Sequence, residues 1–184
     1  MRKDFGKKSW LFPEPVLMIG TYDENNNANI MNAAWGGMYD YNKVVIALSE
    51  HKTTDNLKIT KAFSVSFATK KTLVESDYFG IESGRKVANK VEVAGFHPVK
   101  SKFVNAPIFK EYPVALECEV ESFSEDGVLV GNIINVSADE SVLTDGKIDP
   151  LKLEALVFDP FNNQYLVANE VAGDAFSAGL KLKK

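Results

Sequence analysis

The segment Val114-Ala-Leu-Glu-Cys-Glu-Val-Glu121 sets the strongest constraint on the fold. It puts Leu116, Cys118 and Val120 on one side of an extended chain and three glutamates on the other. Alternation with period two suits a strand with one apolar face and does not build a helical stripe. Asp126-Gly127 follows as a hairpin signal, and Val128-Leu-Val-Gly-Asn-Ile-Ile-Asn-Val136 reads as the return strand.

Other segments extend this pattern. Val16-Leu-Met-Ile-Gly-Thr21 is a short apolar run expected to be a buried strand, and Asp23-Glu-Asn-Asn-Asn27 is expected to turn the chain. A second strand is predicted over about 29–34, ending in Trp35-Gly36-Gly37, and a third over Val44–Ser49. The stretch 51–63 predicts a helix of two to three turns with Thr53 or Thr54 as N-cap and Asp55 in the first turn. Phe63-Ser-Val-Ser-Phe-Ala68 alternates again. Leu73–Phe79 and Arg85–Val91 are expected to be helical, with Gly80 and Ser83-Gly84 as breaks. His97-Pro98 and Ala106-Pro107 bound chain expected to be irregular. Asp145-Gly146 marks a turn, and short strands are predicted at Leu156–Phe158 and Gln164–Val167. Six or seven strands with few helices, joined mainly by hairpins, point to a closed or nearly closed antiparallel barrel in one domain over 1–184.

Composition narrows the function. A net charge of −4 provides no basic face for general nucleic-acid binding. Cys118 is the lone cysteine, and His51 and His97 the only histidines, so neither an internal disulfide nor a convincing zinc or iron site is expected. The charged N-terminal residues lack the apolar run of a secretory signal, and no stretch approaches bilayer-spanning length. A cytoplasmic location is the expectation. No Gly-rich dinucleotide or P-loop fingerprint and no nucleophile elbow is present, and no catalytic side chain is assigned.

Three segments carry ligand-binding potential. Ser49-Glu-His-Lys-Thr-Thr-Asp-Asn56 combines a strand end, a cation, two hydroxyls and a helix N-terminus, the ingredients of a phosphate site. An ordinary helix cap with a solvated lysine accounts for the same residues. Asn32-Ala-Ala-Trp-Gly-Gly37 brings small residues and a tryptophan to a strand end, where a flat ligand could approach the backbone. A core tryptophan before a loose turn is the alternative. In Asp77–Lys90 the cations Arg85, Lys86 and Lys90 cluster near Tyr78 and Phe79, as they would on a solvated helix face or beside an anion.

In order, these segments resemble the flavin-reductase-like FMN-binding split-barrel family, and within it the flavoredoxin-like proteins. The matching pieces are Asn29-Ile-Met-Asn-Ala-Ala-Trp-Gly-Gly37, Lys52-Thr-Thr-Asp-Asn56 leading to Thr60-Lys-Ala-Phe63, Asp77-Tyr-Phe-Gly80 with Ser83-Gly-Arg85, and Lys90 before Ala94-Gly95. Tyr165-Leu-Val-Ala stands where the family has its last barrel strand.

The resemblance implies a β-rich, antiparallel split β-barrel that dimerises and holds FMN near the subunit interface. It implies that Lys52, Thr53 and Thr54 hold the phosphate, with His51 sharing that role and Ser49 beside it. It places Asn32, Ala33, Ala34 and Trp35 along the isoalloxazine ring or ribityl chain, with Asp77, Phe79, Ser83 and Lys90 completing the pocket. The expected activity is transfer of electrons from NADH or NADPH through FMN to an acceptor; an electron carrier reduced by a partner is the alternative.

Overall fold

A computed structural model describes residues 1–183. Its strands and helices run in the order β1 (Glu14–Pro15), β2 (Leu17–Tyr22), β3 (Ala28–Ala33), β4 (Gly36–Asp40), β5 (Lys43–Ala47), α1 (Lys52–Thr60), β6 (Ala62–Phe67), α2 (Leu73–Ile81) and α3 (Lys90–Val93). There follow β7 (Pro98–Lys100), β8 (Pro107–Phe109), β9 (Val114–Phe123), β10 (Val128–Ala138), β11 (Leu143–Thr144), β12 (Lys147–Ile148), α4 (Pro150–Leu153), β13 (Leu156–Asp159) and β14 (Gln164–Val167).

Seven strands form one antiparallel sheet in the order β3-β2-β6-β9-β10-β5-β4, and β1-β13-β14 form a smaller one. The large sheet curls into the half-barrel expected of a split barrel, with β3 and β4 at its open edges. The β9–β10 hairpin predicted from alternation is its longest pairing, and Gly127 turns it with φ of +88°.

Apolar packing lies on both faces. One cluster gathers Leu17, Ile19, Val44, Ile46, Phe63, Val65, Cys118 and Leu129 beneath Leu57 of α1. The other gathers Val16, Met18, Ile30, Phe79, Val91, Phe96, Phe109 and Leu156. Burial on both faces is why β2 reads as an unbroken apolar run.

Several local expectations are corrected. The N-cap of α1 is His51: Thr54 sits three residues later and its hydroxyl accepts from the His51 N–H at 2.9 Å. Gly36-Gly37 is no loose end but opens β4, paired to β5. Helix α2 runs through Gly80, while only residues 90 and 91 of the predicted 85–91 helix are helical, as the start of α3. Residues 83–89 form turns instead, pinned by a two-pronged bond from Arg85 to Asp55. The proline-bounded stretch holds a small ribbon in which β7 pairs with β8.

Glu117 departs furthest from expectation. It is 2% exposed rather than outward-facing, because residues 101–109 cover the second face of the sheet. Its carboxylate accepts from Ser101, from Asn135 Nδ2 at 2.6 Å and from Ser137 at 3.3 Å, which offsets the cost of burying a charge.

Candidate functional site

Helix α1 begins at the end of the β5 connection because the His51–Thr54 reciprocal cap stops the chain from extending further. The first helical main-chain bond is Asp55 N–H to His51 O at 3.2 Å. The N–H groups of Lys52 and Thr53 lie ahead of it and point out of the helix with partial positive charge.

A cavity of about 240 Å³ opens at this helix start. Four separate segments wall it: β3, the first turn of α1, the end of α2, and the 82–90 connection. Asn32, His51, Lys52, Thr53, Phe79, Ser83 and Lys90, all predicted as site residues, meet there.

Thr53 is buried, and its hydroxyl accepts from Asn29 Nδ2 at 2.8 Å. The oxygen being engaged as acceptor, its proton is left to donate to a ligand. Lys90 is 2% exposed and donates to the main-chain oxygens of Glu82 at 2.8 Å and Phe79 at 3.4 Å. An ammonium has three protons, so one stays available. Burial pushes Lys90 down to about 8, with Glu82 opposing the shift. Burial also lowers His51, and the charges of Arg85 and Lys90 add to that. His51 Nε2 lies 2.9 Å from Ser49 Oγ.

The 82–90 connection closes tightly over the helix start. A Cβ at Gly84 would collide with Asn29 Oδ1 and stand 3.3 Å from Lys52 Cβ, so only glycine lets the loop come this near. The cavity shares Asn29, Lys52 and Gly84 with a cleft of about 670 Å³.

The remaining predicted residues lie elsewhere. Ala33 is packed in the barrel core. Ala34 and Trp35 line an apolar groove with Trp10, Leu11 and Pro13, and Trp35 is 62% exposed. Ser49 and Thr54 line a groove between α1 and the β9–β10 hairpin, the Thr54 hydroxyl being used in the helix cap. Asp77 faces β14, where Tyr165 donates to it at 2.8 Å.

Asn29, Gly80 and Gly84 were missed by sequence reasoning. For Asn29 the available signal was a second amide, three residues before Asn32, in a strand whose other residues are apolar; the two glycines read as helix breaks.

The donors fit the flavin phosphate. Lys52, Thr53 and Lys90 line one cavity at the N-terminus of α1, a donor set that suits a dianion, and Glu82 is the one acidic residue in that lining. Among the described residues no group of His, Cys, Asp and Glu is arranged to hold a metal ion, and no helix is long and apolar enough to cross a membrane.

Comparison with known proteins gives the family and the fold. Residues 9–158 match the family described as the flavin reductase like domain. The structure of flavoredoxin from Desulfovibrio vulgaris (Miyazaki F) superposes with a TM-score of 0.94 at 32% identity, covering 97% of this chain and 100% of that one. Flavoredoxin from Methanosarcina acetivorans gives 0.89 at 27% identity, covering 99% and 100%. An uncharacterised protein of Aquifex aeolicus (strain VF5) is 25% identical over 142 residues, 71% of this chain and 72% of that one. The chain therefore belongs to the flavin reductase like family of split barrels, with FMN as its cofactor.

Proposed function

We propose that this protein is an oxidoreductase of flavin-reductase type that takes electrons from NADH or NADPH and passes them through bound FMN to an acceptor. The observation that carries the reading is the convergence of Lys52, Thr53 and Lys90 with Asn32 and Phe79 on one cavity at the start of α1. When bound, the flavin supplies hydride acceptance and onward electron transfer. The protein's own task is then to bind, orient and shield. Lys52 and Lys90 neutralise the phosphate, and Thr53 donates to it with Asn29 behind. Phe79 floors the cavity, its ring 5.9 Å from the Lys90 ammonium. Absence of an acid–base pair in the sequence accords with chemistry that resides in the cofactor.

In this reading the whole 1–184 chain is one domain, it works as a homodimer, and its location is cytoplasmic. The cavity is below the usual size range of ligand pockets, which suits the phosphate and ribityl end of a flavin whose ring needs a further wall. Trp35, Met38 and Tyr39 are exposed at the β4 edge and supply an apolar face for a second copy. The proposed roles of Ala34 and Trp35 at the ring run through that face; Ala33, Ser49, Thr54 and Asp77 support the site from behind.

A second reading, an FMN electron carrier reduced by a partner protein, is favoured by the near full-length likeness to two flavoredoxins. One experiment separates the two. Purified protein loaded with FMN is mixed anaerobically with NADH and then NADPH while the visible spectrum is followed. Rapid bleaching supports the oxidoreductase and names its donor. Persistent yellow colour with either nucleotide moves the assignment to the carrier. Failure to bind FMN removes both.

A further inference from the structure

Two glutamates are buried in this chain, Glu14 and Glu117, and they are satisfied to opposite degrees. Ser101, Asn135 and Ser137 all donate to Glu117. Glu14, 5% exposed, is fixed in β1 opposite Phe158 of β13. Among the described residues no ion pair and no hydrogen bond of ordinary geometry engages its carboxylate. Burial raises Glu14 above its ordinary value, and only the Trp35 indole opposes that rise. A carboxylate has about four acceptor positions, so most of this one's capacity is unused. Its oxygens are not sealed in: the side-chain atoms both sealed and unpartnered are Asn56 Oδ1 and Ser66 Oγ.

Glu14 lines a groove of about 730 Å³ whose other walls are mostly apolar, Trp10, Leu11, Trp35 and Val45 among them. Lys8 lines it too, on the exposed side, with its ammonium 5.5 Å from the centre of the Trp10 ring. The groove thus combines indole faces, a buried anion and an exposed cation. An unpaired buried charge is costly, and a ligand relieves that cost by supplying a donor or a positive charge. Trp35 stands three residues past Asn32, which lines the phosphate cavity. With Trp35 at the flavin ring, as proposed above, this groove is where a second ring would meet the flavin.

We propose that the groove takes the nicotinamide ring of the electron donor, with Glu14 accepting a hydrogen bond from the carboxamide NH2 and facing the positive charge of the oxidised ring. This inference rests on the flavin site and the pyridine-nucleotide reading proposed above. The donor matches the groove part by part. Its flat ring suits the indole faces, its carboxamide donates, and its phosphate meets a cation in Lys8. In the reaction a hydride, two electrons and a proton, leaves the dihydronicotinamide for the flavin, and the ring left behind carries one positive charge. A fixed carboxylate beside that ring stabilises the charge as it develops and so lowers the barrier.

Trp10 and Trp35 are the only tryptophans in the chain, so intrinsic fluorescence reports on this groove directly. Flavin-free protein is titrated with nicotinamide mononucleotide in its oxidised and reduced forms. Saturable quenching is expected with both, and tighter binding of the oxidised form. Glu14→Gln should weaken the oxidised form about tenfold, the worth of a charge-assisted hydrogen bond, and the reduced form by clearly less. The same variant should unfold at no lower urea concentration than wild type, because it removes a buried unpaired charge. FMN affinity should be unchanged. Unaltered nucleotide affinity in Glu14→Gln, or a clear loss of stability, overturns the inference. An equal loss of FMN affinity also overturns it and gives Glu14 to the flavin ring. FMN binding without quenching by the nucleotide removes the groove and leaves the flavin site standing. Quenching in a protein that binds no FMN removes the flavin site and keeps the groove.

Discussion

Asn29 Nδ2 donates to Thr53 Oγ1 at 2.8 Å and so ties β3 to the first turn of α1. The bond orients the threonine hydroxyl, which sets the direction in which its proton is free. Thr53→Val keeps the shape and removes the hydroxyl. It leaves a buried amide donor unpaired, which should cost about 1–3 kcal/mol in urea unfolding. FMN affinity should fall about tenfold on top of that, and an unchanged dissociation constant would remove Thr53 from the site.

Lys90 makes stability and cofactor affinity respond to pH in opposite directions. Its ammonium titrates at about 8 in the folded protein against the ordinary 10.5. Between those values the unfolded chain binds the extra proton, so folding stability rises with pH across that window and the penalty is fully present below it. Phosphate affinity should instead drop as Lys90 discharges above pH 8. Lys90→Met is expected to flatten both profiles, measured by urea unfolding and FMN titration from pH 6.5 to about 10.

Arg85 and Asp55 close the loop over the helix start through Nε and Nη2, each at 3.0 Å. Both side chains are a little under half exposed, so water screens the pair and Arg85→Met should change global stability by less than about 1 kcal/mol. Stopped-flow release of FMN should nonetheless be several-fold faster, since the loop over Lys52 is untied. Equal release rates would show that the pair does not hold the site shut.

Glu117 offers a test remote from the cavity. Glu117→Gln turns an acceptor-only group into one with an NH2 facing Ser101 or Asn135, each already a donor. The mismatch is expected to cost about 2 kcal/mol by denaturant titration, with FMN affinity untouched.

Gly131→Ala tests the barrel interior. A Cβ at this position would run into the ring of Phe63, which is fully buried. Overpacking of this kind costs about 1–3 kcal/mol. Thermal unfolding should show the loss, and the loaded protein's visible spectrum should be unaltered.

Most of the strand order along the chain was legible because alternation and turn residues are local properties. The β9–β10 hairpin declared itself through Leu116, Cys118 and Val120 and through Asp126-Gly127. Helix α1 was equally legible, although its cap fell on His51, since a histidine cap depends on the reciprocal bond from Thr54 rather than on the capping residue's own propensity. Strand β4 was missed because two glycines in a row carry no strand signal; its pairing with β5 makes it a strand.

For the site, the sequence by itself determined the cationic and hydroxyl groups at the start of α1, and the order of motifs that marks the flavin reductase like family. Only the tertiary structure decided which of those groups share a cavity. Lys90 is separated from Lys52 by a helix, a strand and a loop, yet both line one wall system, whereas Ala34 and Trp35, close in sequence to Asn32, face a different groove. Burial decided the rest. Glu117 reads as a solvent-facing residue until residues 101–109 cover it, and Asn29 as a strand amide until the Thr53 hydroxyl accepts its hydrogen bond. Such outcomes depend on which segments the folded sheet brings within hydrogen-bond range, and local periodicity carries no record of that.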